Sequence, residues 1–365
     1  MNNMTELVSW FQLEYPELVT QMKNSNHHKE GQHIEEYVEY LDDGTSIEYQ
    51  NVINKIESLN PYHVESDVFT HTMMVCKQAE NASYVVKIAA LLHDIGKPST
   101  RSVNPKNGRV SFYNHDAVSA FMSLEILKRG ELGLSKKQIA HIFNLIALHT
   151  QIYKLTPLQL GSIQDDSIVV DLIELGKADH AGRFHTQGSA VIPSMLDVWR
   201  DYSYEKRRET DKEVVVLVGL PASGKSSYKS LMRGGYFSVC RDDIINDLAY
   251  RKEGQYIDYN EAWEIVDQSK VNEELQCLFK QAKTFDKVVV DMTHMSKKSR
   301  RKSLSHFDSS YKKKAVVFLT DLQTLSLRNS QRDGKIISKE VVDKMMRSFY
   351  TPTLEEFDEI EYIIS

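Results

Sequence analysis

The chain has 365 residues, of which 41% are hydrophobic, and a formal net charge of −6. This length predicts two domains, each large enough to bury a core of its own. The sequence has no run of about 18 apolar residues and no basic, apolar start, so we expect neither a membrane span nor a secretory signal. Cys76, Cys240 and Cys277 stand in no motif spacing. They predict reduced, buried thiols in a cytoplasmic protein.

The first 200 residues show a helical pattern. Apolar residues at helical spacing predict helices over 4–24, 83–95, 115–130, 135–150 and 165–181. Residues 35–50 alternate as a hairpin does, with an Asp-Gly pair at the turn. We therefore interpret residues 1–50 as an N-terminal extension of helix plus hairpin, and residues 51–200 as a helical domain.

A set of histidines and aspartates lies within this helical region. Its members are His71, His93, Asp94, His115, His149 and Asp179. Imidazole and carboxylate groups together are typical ligands of a transition metal, Mn²⁺ or Mg²⁺. Helices of a bundle can bring such ligands together from distant positions. A single histidine could equally be an ordinary core or surface residue, so the whole set predicts one or two divalent metals and a metal-activated water.

The second half of the chain has a different pattern. Residues 201–212 are charged and lack apolar periodicity, which is typical of a linker. The strand-like runs that follow are Val214–Val218, Tyr236–Cys240, Lys287–Val290, Ala315–Leu319 and Ile360–Ile364. Strands that alternate with helical stretches predict a parallel sheet flanked by helices over residues 213–365.

The first of these strands leads into GLPASGKSS, which fits the phosphate-binding pattern G-x-x-x-x-G-K-S. Backbone N–H groups of such a loop form an anion site at the start of a helix. Lys225 is placed to reach the β- and γ-phosphates, and Ser226 to hold Mg²⁺. We therefore expect ATP or another NTP with Mg²⁺ as the ligand. The candidate nucleotide-binding residues are Gly219, Ala222, Ser223, Gly224, Lys225, Ser226 and Ser227.

Carboxylates after the next two strands favour a kinase. Asp242, which follows the second strand, can accept the proton of an attacking hydroxyl, although it or Asp243 could also cap a helix. Asp291 and Thr293 should lie at the same edge of the sheet. Asp291 suits a contact with Mg²⁺ or a place in the acceptor pocket.

Basic residues add a second indication of phosphate chemistry. Arg328 and Arg332 are four residues apart, so on a helix they would share one face. A mobile lid that carries both could clamp the transferring phosphates, although an ordinary surface helix fits as well. The runs Lys297–Lys302 and Lys312–Lys314 fit either a solvated surface or a track for a phosphate backbone. The first 210 residues, with 27 acidic and 20 basic side chains, argue against a large DNA-binding surface there.

Together GLPASGKSS, RDD, D-x-T, R-x-x-x-R and V-x-x-x-M-x-x-x-F-x-x-P-T resemble the 5′-OH polynucleotide kinases of the end-healing type, over nearly all of residues 212–365. Where such kinases often carry a basic residue three positions after the general base, this chain has Ile245. The resemblance implies a general base in Asp242, triphosphate and Mg²⁺ contacts by Lys225 and Ser226, lid contacts by Arg332 and Arg328, and acceptor contacts by Arg241, Asp291 and Thr293.

The His/Asp set, with HDIGK at its centre, resembles the HD-domain phosphohydrolases, and their dinuclear members more than the mononuclear ones. The resemblance implies a first metal at His71, His93, Asp94 and Asp179, and a second metal held by Asp94, His115 and His149. Lys97 and Arg101 would contact phosphate or lie at the surface, and the other histidines have no assigned role. HDIGKPSTR and NHDAVSA also look like the HD domain of some tRNA nucleotidyltransferases, although no nucleotidyltransferase signature precedes them.

The order of the two domains resembles the bifunctional HD-Pnk end-healing enzymes over about residues 50–365. It implies phosphorylation of 5′-OH ends of RNA or DNA, removal of 2′,3′-cyclic, 2′- or 3′-phosphate ends, and a separate ligase that acts afterwards. One alternative is an HD nucleotidase joined to a small-molecule P-loop kinase. A second is a degenerate HD site that only binds RNA ends. The sequence predicts no membrane partner and does not determine the oligomeric state.

Overall fold

The computed structural model describes residues 3–27, 67–106, 108–163, 166–183, 210–232 and 234–365. The chain divides into two compact units, Met1–Ser203 and Tyr204–Ser365. The hairpin expected over 35–50 lies outside the described residues, as does most of the expected linker. Within the described ranges, no helix has both the length and the apolar character needed to cross a membrane.

The N-terminal unit is built mainly from helices. Their bounds are Met4–Glu14 (α1), Pro16–Lys23 (α2), Val68–Gln78 (α3), Tyr84–Leu92 (α4), Lys97–Thr100 (α5), His115–Leu127 (α6), Lys136–Leu148 (α7), Pro157–Gly161 (α8) and Asp166–Ala181 (α9). The single helix expected over 4–24 is two helices. Pro16 begins the second one, because its ring fits the first turn of a helix but not the interior.

Helix α4 lies at the centre of this unit and packs against α3, α7 and α9. It begins at a serine cap, where the Ser83 hydroxyl accepts a hydrogen bond from the backbone N–H of Val86. Its last residues, Ala89–Leu92, are all buried. Burial of this apolar helix therefore carries His93 and Asp94, the next two residues, into the interior of the unit.

Two short antiparallel strands interrupt the helices of this unit, Arg101–Val103 (β1) and Val110–Phe112 (β2). The sequence pattern predicted only helices here, because three residues are too few to show the alternation of a strand. Asn114 follows β2 in a left-handed conformation with φ of 60°. This turn ends the hairpin and places His115 at the first position of α6.

The C-terminal unit contains a five-stranded parallel sheet flanked by helices. The strands are Lys212–Val218 (β3), Phe237–Cys240 (β4), Lys287–Asp291 (β5), Tyr311–Leu319 (β6) and Glu359–Ile364 (β7), in the spatial order β4-β5-β3-β6-β7. The helices are Lys225–Leu231 (α10), Arg241–Glu253 (α11), Tyr259–Ile265 (α12), Gln268–Ala282 (α13), Lys297–Leu304 (α14), Leu322–Ser330 (α15) and Lys339–Arg347 (α16). The five predicted strands and their parallel arrangement are confirmed.

Burial corrects one expectation about the cysteines. Cys76 and Cys240 are buried, and burial raises the pKa of each thiol to about 12. Cys277 is exposed instead. It lies on α13 away from the buried face, which consists of Val271, Leu275, Phe279 and Ala282.

Both basic runs are used within the fold. Lys312 and Lys314 lie on β6, and their ammonium groups are 2.6 and 2.8 Å from the carboxylate of Glu359 on β7. Lys297–Lys302 lies on α14, where Lys297 pairs with Glu355 and Lys302 lines a cavity. Part of the charge of both runs is therefore compensated within the fold, and a phosphate track on the remaining cations stays a prediction.

Arg300, in the middle of the second run, is fully buried. Its Nε and Nη2 donate to the two carboxylate oxygens of Glu356, at 3.2 and 2.7 Å. Its Nη1 donates to the carbonyl oxygens of His294, Met295 and Tyr350. One side chain thereby ties the loop after β5 to the segment that leads into β7.

We expect Arg300→Met to lower the free energy of unfolding of the C-terminal unit by about 3–5 kcal/mol, because Glu356 would be left as an unpaired buried charge. Denaturant unfolding of the full chain, followed by circular dichroism, measures the change. The matched control is Arg251→Met, since Arg251 and Glu274 form an ion pair with side chains 62% and 44% exposed. That control should cost less than about 1 kcal/mol. Equal, small losses in the two variants would contradict this account of Arg300.

Candidate metal centre and nucleotide-binding site

The carboxylate of Asp94 lies at the centre of a buried cluster in the N-terminal unit. Its Oδ2 is 3.4 Å from Nε2 of His71 and 3.2 Å from Nε2 of His93. Its Oδ1 is 3.1 Å from Nε2 of His115 and 3.7 Å from Nε2 of His149. Two potential ligand groups therefore share Asp94, and within each group the donor atoms lie within 4.8 Å of one another. This arrangement fits two divalent ions bridged by one carboxylate.

Three of the imidazoles are oriented by the backbone in the same way. In each, Nδ1 donates to the carbonyl oxygen three residues earlier: His93 to Ala90, His115 to Phe112 and His149 to Ile146, at 2.7–2.8 Å. Because a carbonyl can only accept, Nδ1 carries the proton and Nε2 presents a lone pair to the cluster. The Nε2 atoms of His115 and His149 are 3.2 Å apart. Two Nε2 lone pairs this close would repel each other, so the arrangement favours a cation bound by both imidazoles.

Asp179 joins the cluster from α9. Its Oδ1 is 3.1 Å from Nε2 of His71, and its Oδ2 accepts a hydrogen bond of 2.8 Å from the hydroxyl of Tyr153. Nη2 of Arg183 donates to the same hydroxyl at 2.9 Å. Tyr153 and Arg183 thereby orient the carboxylate of Asp179. Neither residue could be predicted from the sequence, because neither belongs to a recognisable motif.

The charges of the cluster favour ionised carboxylates and shift the pKa values of the imidazoles in both directions, since Asp94 and Asp179 raise the pKa of His149 despite its burial. Burial alone would raise the pKa of Asp94, but the neighbouring imidazoles and Lys97 outweigh it and hold that pKa well below its usual value. Burial would likewise raise the pKa of Asp179, but the hydrogen bond with His71 and the charge of Arg183 hold it well below its usual value. Burial lowers the pKa of His93. Ionised carboxylates and neutral imidazoles are the forms that bind divalent cations.

Lys97 belongs to the cluster rather than to the surface. It is buried, and its Nζ is 2.7 Å from Oδ2 of Asp94 and 3.4 Å from Nε2 of His27. His27, which the sequence left without a role, is therefore part of the same interior. The guanidinium of Arg101 makes a contact outside the cluster. Its Nε donates to the backbone carbonyl of Asn26 at 2.9 Å.

In the C-terminal unit, the loop GLPASGKSS connects β3 to α10. Gly224 has φ of 102°, and Ala222 also takes a left-handed conformation with φ of 63°. A Cβ at Gly219 would lie 2.7 Å from Oγ of Ser223, which explains the glycine. Left-handed conformations of residues other than glycine cost about 1–3 kcal/mol and cluster at ligand-binding sites. The loop is thus wound tightly at the position where the sequence predicts phosphate.

Lys225 is buried at the first position of α10. Its ammonium donates to the carbonyl oxygens of Gly219 and Leu220, at 2.8 and 2.7 Å. Burial lowers its pKa to about 8. A cation held by two carbonyl groups in this way can transfer its hydrogen bonds to the oxygens of a bound phosphate.

A cavity of about 910 Å³ opens beside this loop. It brings together almost all the residues that the sequence predicted for the kinase chemistry. Those that line it are Ala222, Ser223, Gly224, Lys225, Ser226, Ser227, Arg241, Asp242, Asp291, Thr293, Arg328 and Arg332. Gly219 lies below the loop, where its N–H donates to the carbonyl oxygen of Thr293 at 3.0 Å.

Asp242 projects from the first turn of α11, directly after β4. Neither it nor Asp243 caps this helix, because the N-cap residue is Cys240 and makes no capping side-chain bond. Oδ1 of Asp242 accepts a hydrogen bond of 2.7 Å from the hydroxyl of Tyr259, and Oδ2 pairs with the ammonium of Lys335. Burial would raise the pKa of Asp242, but Lys335 and Tyr259 outweigh it and lower that pKa. The carboxylate is therefore ionised, as a proton acceptor must be.

The two lid arginines do not share a helix face, contrary to the expectation from their spacing. Helix α15 ends at Ser330, so Arg328 lies within it and Arg332 lies beyond its end. The segment turns there, because Gly334 takes a left-handed conformation with φ of 62°. Both arginines nevertheless line the same cavity.

Ile245 and Asp291 are two further positions that the sequence singled out in the kinase-like domain. Ile245 is fully buried, so its side chain is not available to a substrate. Asp291 is the last residue of β5, and its Oδ2 is 3.4 Å from Nζ of Lys229 on α10. The sequence predicts no role for Lys229. Burial raises the pKa of Asp291 despite that ammonium.

Comparison with known protein families assigns a domain type to each unit. Residues 67–217 match the model of the HD domain, and residues 214–352 match the model of the AAA domain. The chain joins a helical HD domain to a P-loop kinase-like domain. The predicted resemblance to HD domains is thus confirmed, whereas the closer resemblance to the HD-Pnk enzymes stays a prediction.

Individual proteins match parts of the chain. A stretch of 70 residues, 18% of this chain, is 40% identical to an A-adding tRNA nucleotidyltransferase of Deinococcus radiodurans, and it spans only 16% of that protein. A gluconokinase structure from Sinorhizobium meliloti 1021 matches at 16% identity and a TM-score of 0.29, over 43% of this chain and 84% of that one. A kinase structure from Chloroflexus aurantiacus matches at 12% identity and a TM-score of 0.32, over 43% and 87%.

We expect the HD domain to retain divalent metal on purification, and Asp94→Asn to lose the metal of both ligand groups because they share this carboxylate. His149→Ala should lose the metal of its own group and keep the other. Elemental analysis of metal per chain measures both results. The control is His141→Ala, since His141 pairs with Asp171 at 2.8 Å outside the two groups. Full metal content in Asp94→Asn would contradict the shared-ligand arrangement.

We expect Tyr153→Phe to weaken metal binding by about 10- to 100-fold, because the hydrogen bond that orients Asp179 is lost while the ligands remain. Competition with a chelator of known affinity measures the change. Tyr113→Phe removes the hydroxyl of an exposed tyrosine of the same domain and should leave the affinity unchanged. Equal affinities in the two variants would show that Tyr153 does not position Asp179.

Proposed function

We propose that the protein repairs broken nucleic-acid ends. The kinase-like domain would transfer the γ-phosphoryl group of an NTP to a 5′-OH end, and the HD domain would remove a 2′,3′-cyclic, 2′- or 3′-phosphate. The observation that carries the proposal is the pairing in one chain of two sites for phosphate chemistry, one with Asp242 and Lys225 in a single cavity and one centred on Asp94. Ribonuclease cleavage commonly leaves these two kinds of end. A conventional ligase can join neither kind of end. A separate ligase would therefore act after both ends have been repaired.

In the kinase-like domain, the roles follow from position and charge. The ionised carboxylate of Asp242 accepts the proton of the 5′-OH as the hydroxyl oxygen attacks the γ-phosphorus. The bond from that phosphorus to the β–γ bridging oxygen breaks, and the nucleoside diphosphate leaves with the bonding electrons. Tyr259 and Lys335 hold that carboxylate in place. Mg²⁺, held by Ser226, would neutralise charge between the β- and γ-phosphates.

The basic groups of the same cavity stabilise the charge that moves during the transfer. Lys225 would transfer its hydrogen bonds from the carbonyl oxygens of Gly219 and Leu220 to the phosphate chain. Arg328 and Arg332, which line the same cavity, would stabilise the oxygens of the transferring phosphoryl group. Catalysis in this domain is thus a matter of positioning and electrostatic stabilisation.

In the HD domain, His71, His93, Asp94 and Asp179 would hold one metal, and Asp94, His115 and His149 a second. Bound metals would lower the pKa of water and polarise the phosphoryl oxygens. The chain itself fixes the tautomers of His93, His115 and His149 through backbone carbonyls. Lys97, buried beside Asp94, adds positive charge where a phosphate would bind.

A nucleic-acid substrate has support from one of the similar proteins. A stretch of 70 residues of this chain is 40% identical to an A-adding tRNA nucleotidyltransferase, whose name states that it acts on tRNA. This likeness favours RNA ends as the substrate over free nucleotides. The alternative, an HD nucleotidase joined to a small-molecule kinase, predicts different phosphate acceptors. A phosphorylation assay that compares oligonucleotides with small alcohols therefore separates the two proposals.

We expect Lys225→Ala and Asp242→Asn to reduce 5′ phosphorylation by about 100-fold or more and to spare phosphate removal, because they alter only the kinase cavity. Asp94→Asn should do the reverse. The substrate is an end-labelled RNA with a 5′-OH and a 2′,3′-cyclic phosphate, given ATP and a series of divalent metals, with the DNA equivalent in parallel. His141→Ala is the control that should keep both activities.

Two results would contradict the proposal. Loss of both activities in each folded variant would rule out two independent sites. Efficient phosphorylation of nucleosides or small alcohols, with none of an oligonucleotide, would favour the small-molecule alternative.

A further inference from the structure

The wall of the kinase cavity beside Asp242 carries an exposed indole. Trp263 lies on α12, is 45% exposed and lines the cavity. The same helix carries Tyr259, whose hydroxyl binds Asp242 and whose ring centroid is 6.3 Å from that of Trp263. Single exposed aromatic residues are common on protein surfaces. This one shares a helix with the residue that positions the proton acceptor, so it lies on the acceptor side of the cavity.

A cation lies next to the indole. The guanidinium carbon of Arg241 is 5.8 Å from the centroid of Trp263. Its Nη1 donates to Oδ1 of Asn272 and its Nη2 to Oε1 of Gln268, each at 2.8 Å. Both partners are neutral amides, so they fix the orientation of the guanidinium without compensating its charge. Among the described residues Arg241 has no carboxylate partner, and a cation placed in this way is suited to an anionic group of a ligand.

Helix α12 is fastened to the segment that carries the lid residues. The backbone N–H of Asn260 donates to the carbonyl oxygen of Gly334 at 3.0 Å, and its side-chain amide donates to that of Ile336 at 3.1 Å. The ring of Tyr259 also lies under the ammonium of Lys335, 3.9 Å from it. The aromatic wall and the cation are therefore held in place before a ligand arrives, which lowers the entropic cost of binding.

We propose that Trp263 stacks the first nucleobase of the 5′-OH acceptor and that Arg241 binds the phosphate on the 3′ side of that nucleotide. The proposal rests on the proposed function and names the part of the acceptor that the kinase cavity recognises. A nucleotide end presents a flat base and a phosphate on either side of its ribose, and the cavity wall presents a flat ring and a cation. Stacking accepts every base, because each has a π face. A small polyol has neither feature, so the pair selects nucleic-acid ends.

The test compares Michaelis constants for two acceptors, a 5′-OH oligonucleotide and the same oligonucleotide without the base of its first residue. Trp263→Ala should raise the KM of the normal acceptor by roughly 5- to 100-fold. It should leave the KM of the abasic acceptor and that of ATP unchanged, because no stacking remains to be lost. Trp263→Phe keeps a ring and should retain most of the effect. Tyr256→Ala, which removes an exposed ring outside the cavity, should change none of these values.

An equal rise in KM for both acceptors would overturn the stacking role. A rise confined to the KM of ATP would also overturn it, because Trp263 would then contact the base of the nucleotide donor. Unchanged values for Trp263→Ala, in a wild-type protein that phosphorylates oligonucleotides, would overturn this inference alone. A wild-type protein that phosphorylates small alcohols and neither oligonucleotide would overturn the proposed function together with it.

Discussion

The carboxylate of Asp94 is the constraint around which the N-terminal unit is organised. A buried ionised carboxylate is costly unless it is paired and hydrogen-bonded, and Asp94 is surrounded by imidazoles and by the ammonium of Lys97. The energy that places it there comes from its surroundings, chiefly the apolar residues of α4, which are buried against α3, α7 and α9. The chemistry of the site and the stability of the helical core are therefore linked through one residue.

The C-terminal unit also places carboxylates next to an apolar core, but at the end of a sheet rather than inside a helical bundle. Its buried valine strands end at one edge of the sheet, where Asp291 is the last residue of β5 and Asp242 lies in the first turn of the helix after β4. Parallel strands covered by helices place polar groups at this edge, because the strand interiors accept only apolar side chains. Arg300, paired with Glu356, then fixes the loop beyond β5 through hydrogen bonds to the carbonyl oxygens of His294 and Met295. A rigid edge of this kind keeps the phosphate loop and the acceptor carboxylate in register.

Motif spacing was enough to predict the five strands, the phosphate loop and the members of the His/Asp cluster. Residues that act through those groups could not be predicted, because they come from segments without a motif. Tyr153, Tyr259, Lys335 and His27 reach their partners only through tertiary packing. Arg332 shows the limit of periodicity: a spacing of four predicted a shared helix face, but α15 ends at Ser330. The assignment of roles to the site residues stays a prediction.

The partners of Arg241 differ from those of several basic side chains on the surface of the kinase-like domain. On the surface of the kinase-like domain, Lys312 and Lys314 pair with Glu359, and Arg251 pairs with Glu274. In the described part of the chain, Arg241 has only neutral amide partners, and it lies in the cavity together with the two lid arginines. Arg241 therefore differs from these paired surface cations, and its charge is available to an anionic group of a ligand in the cavity.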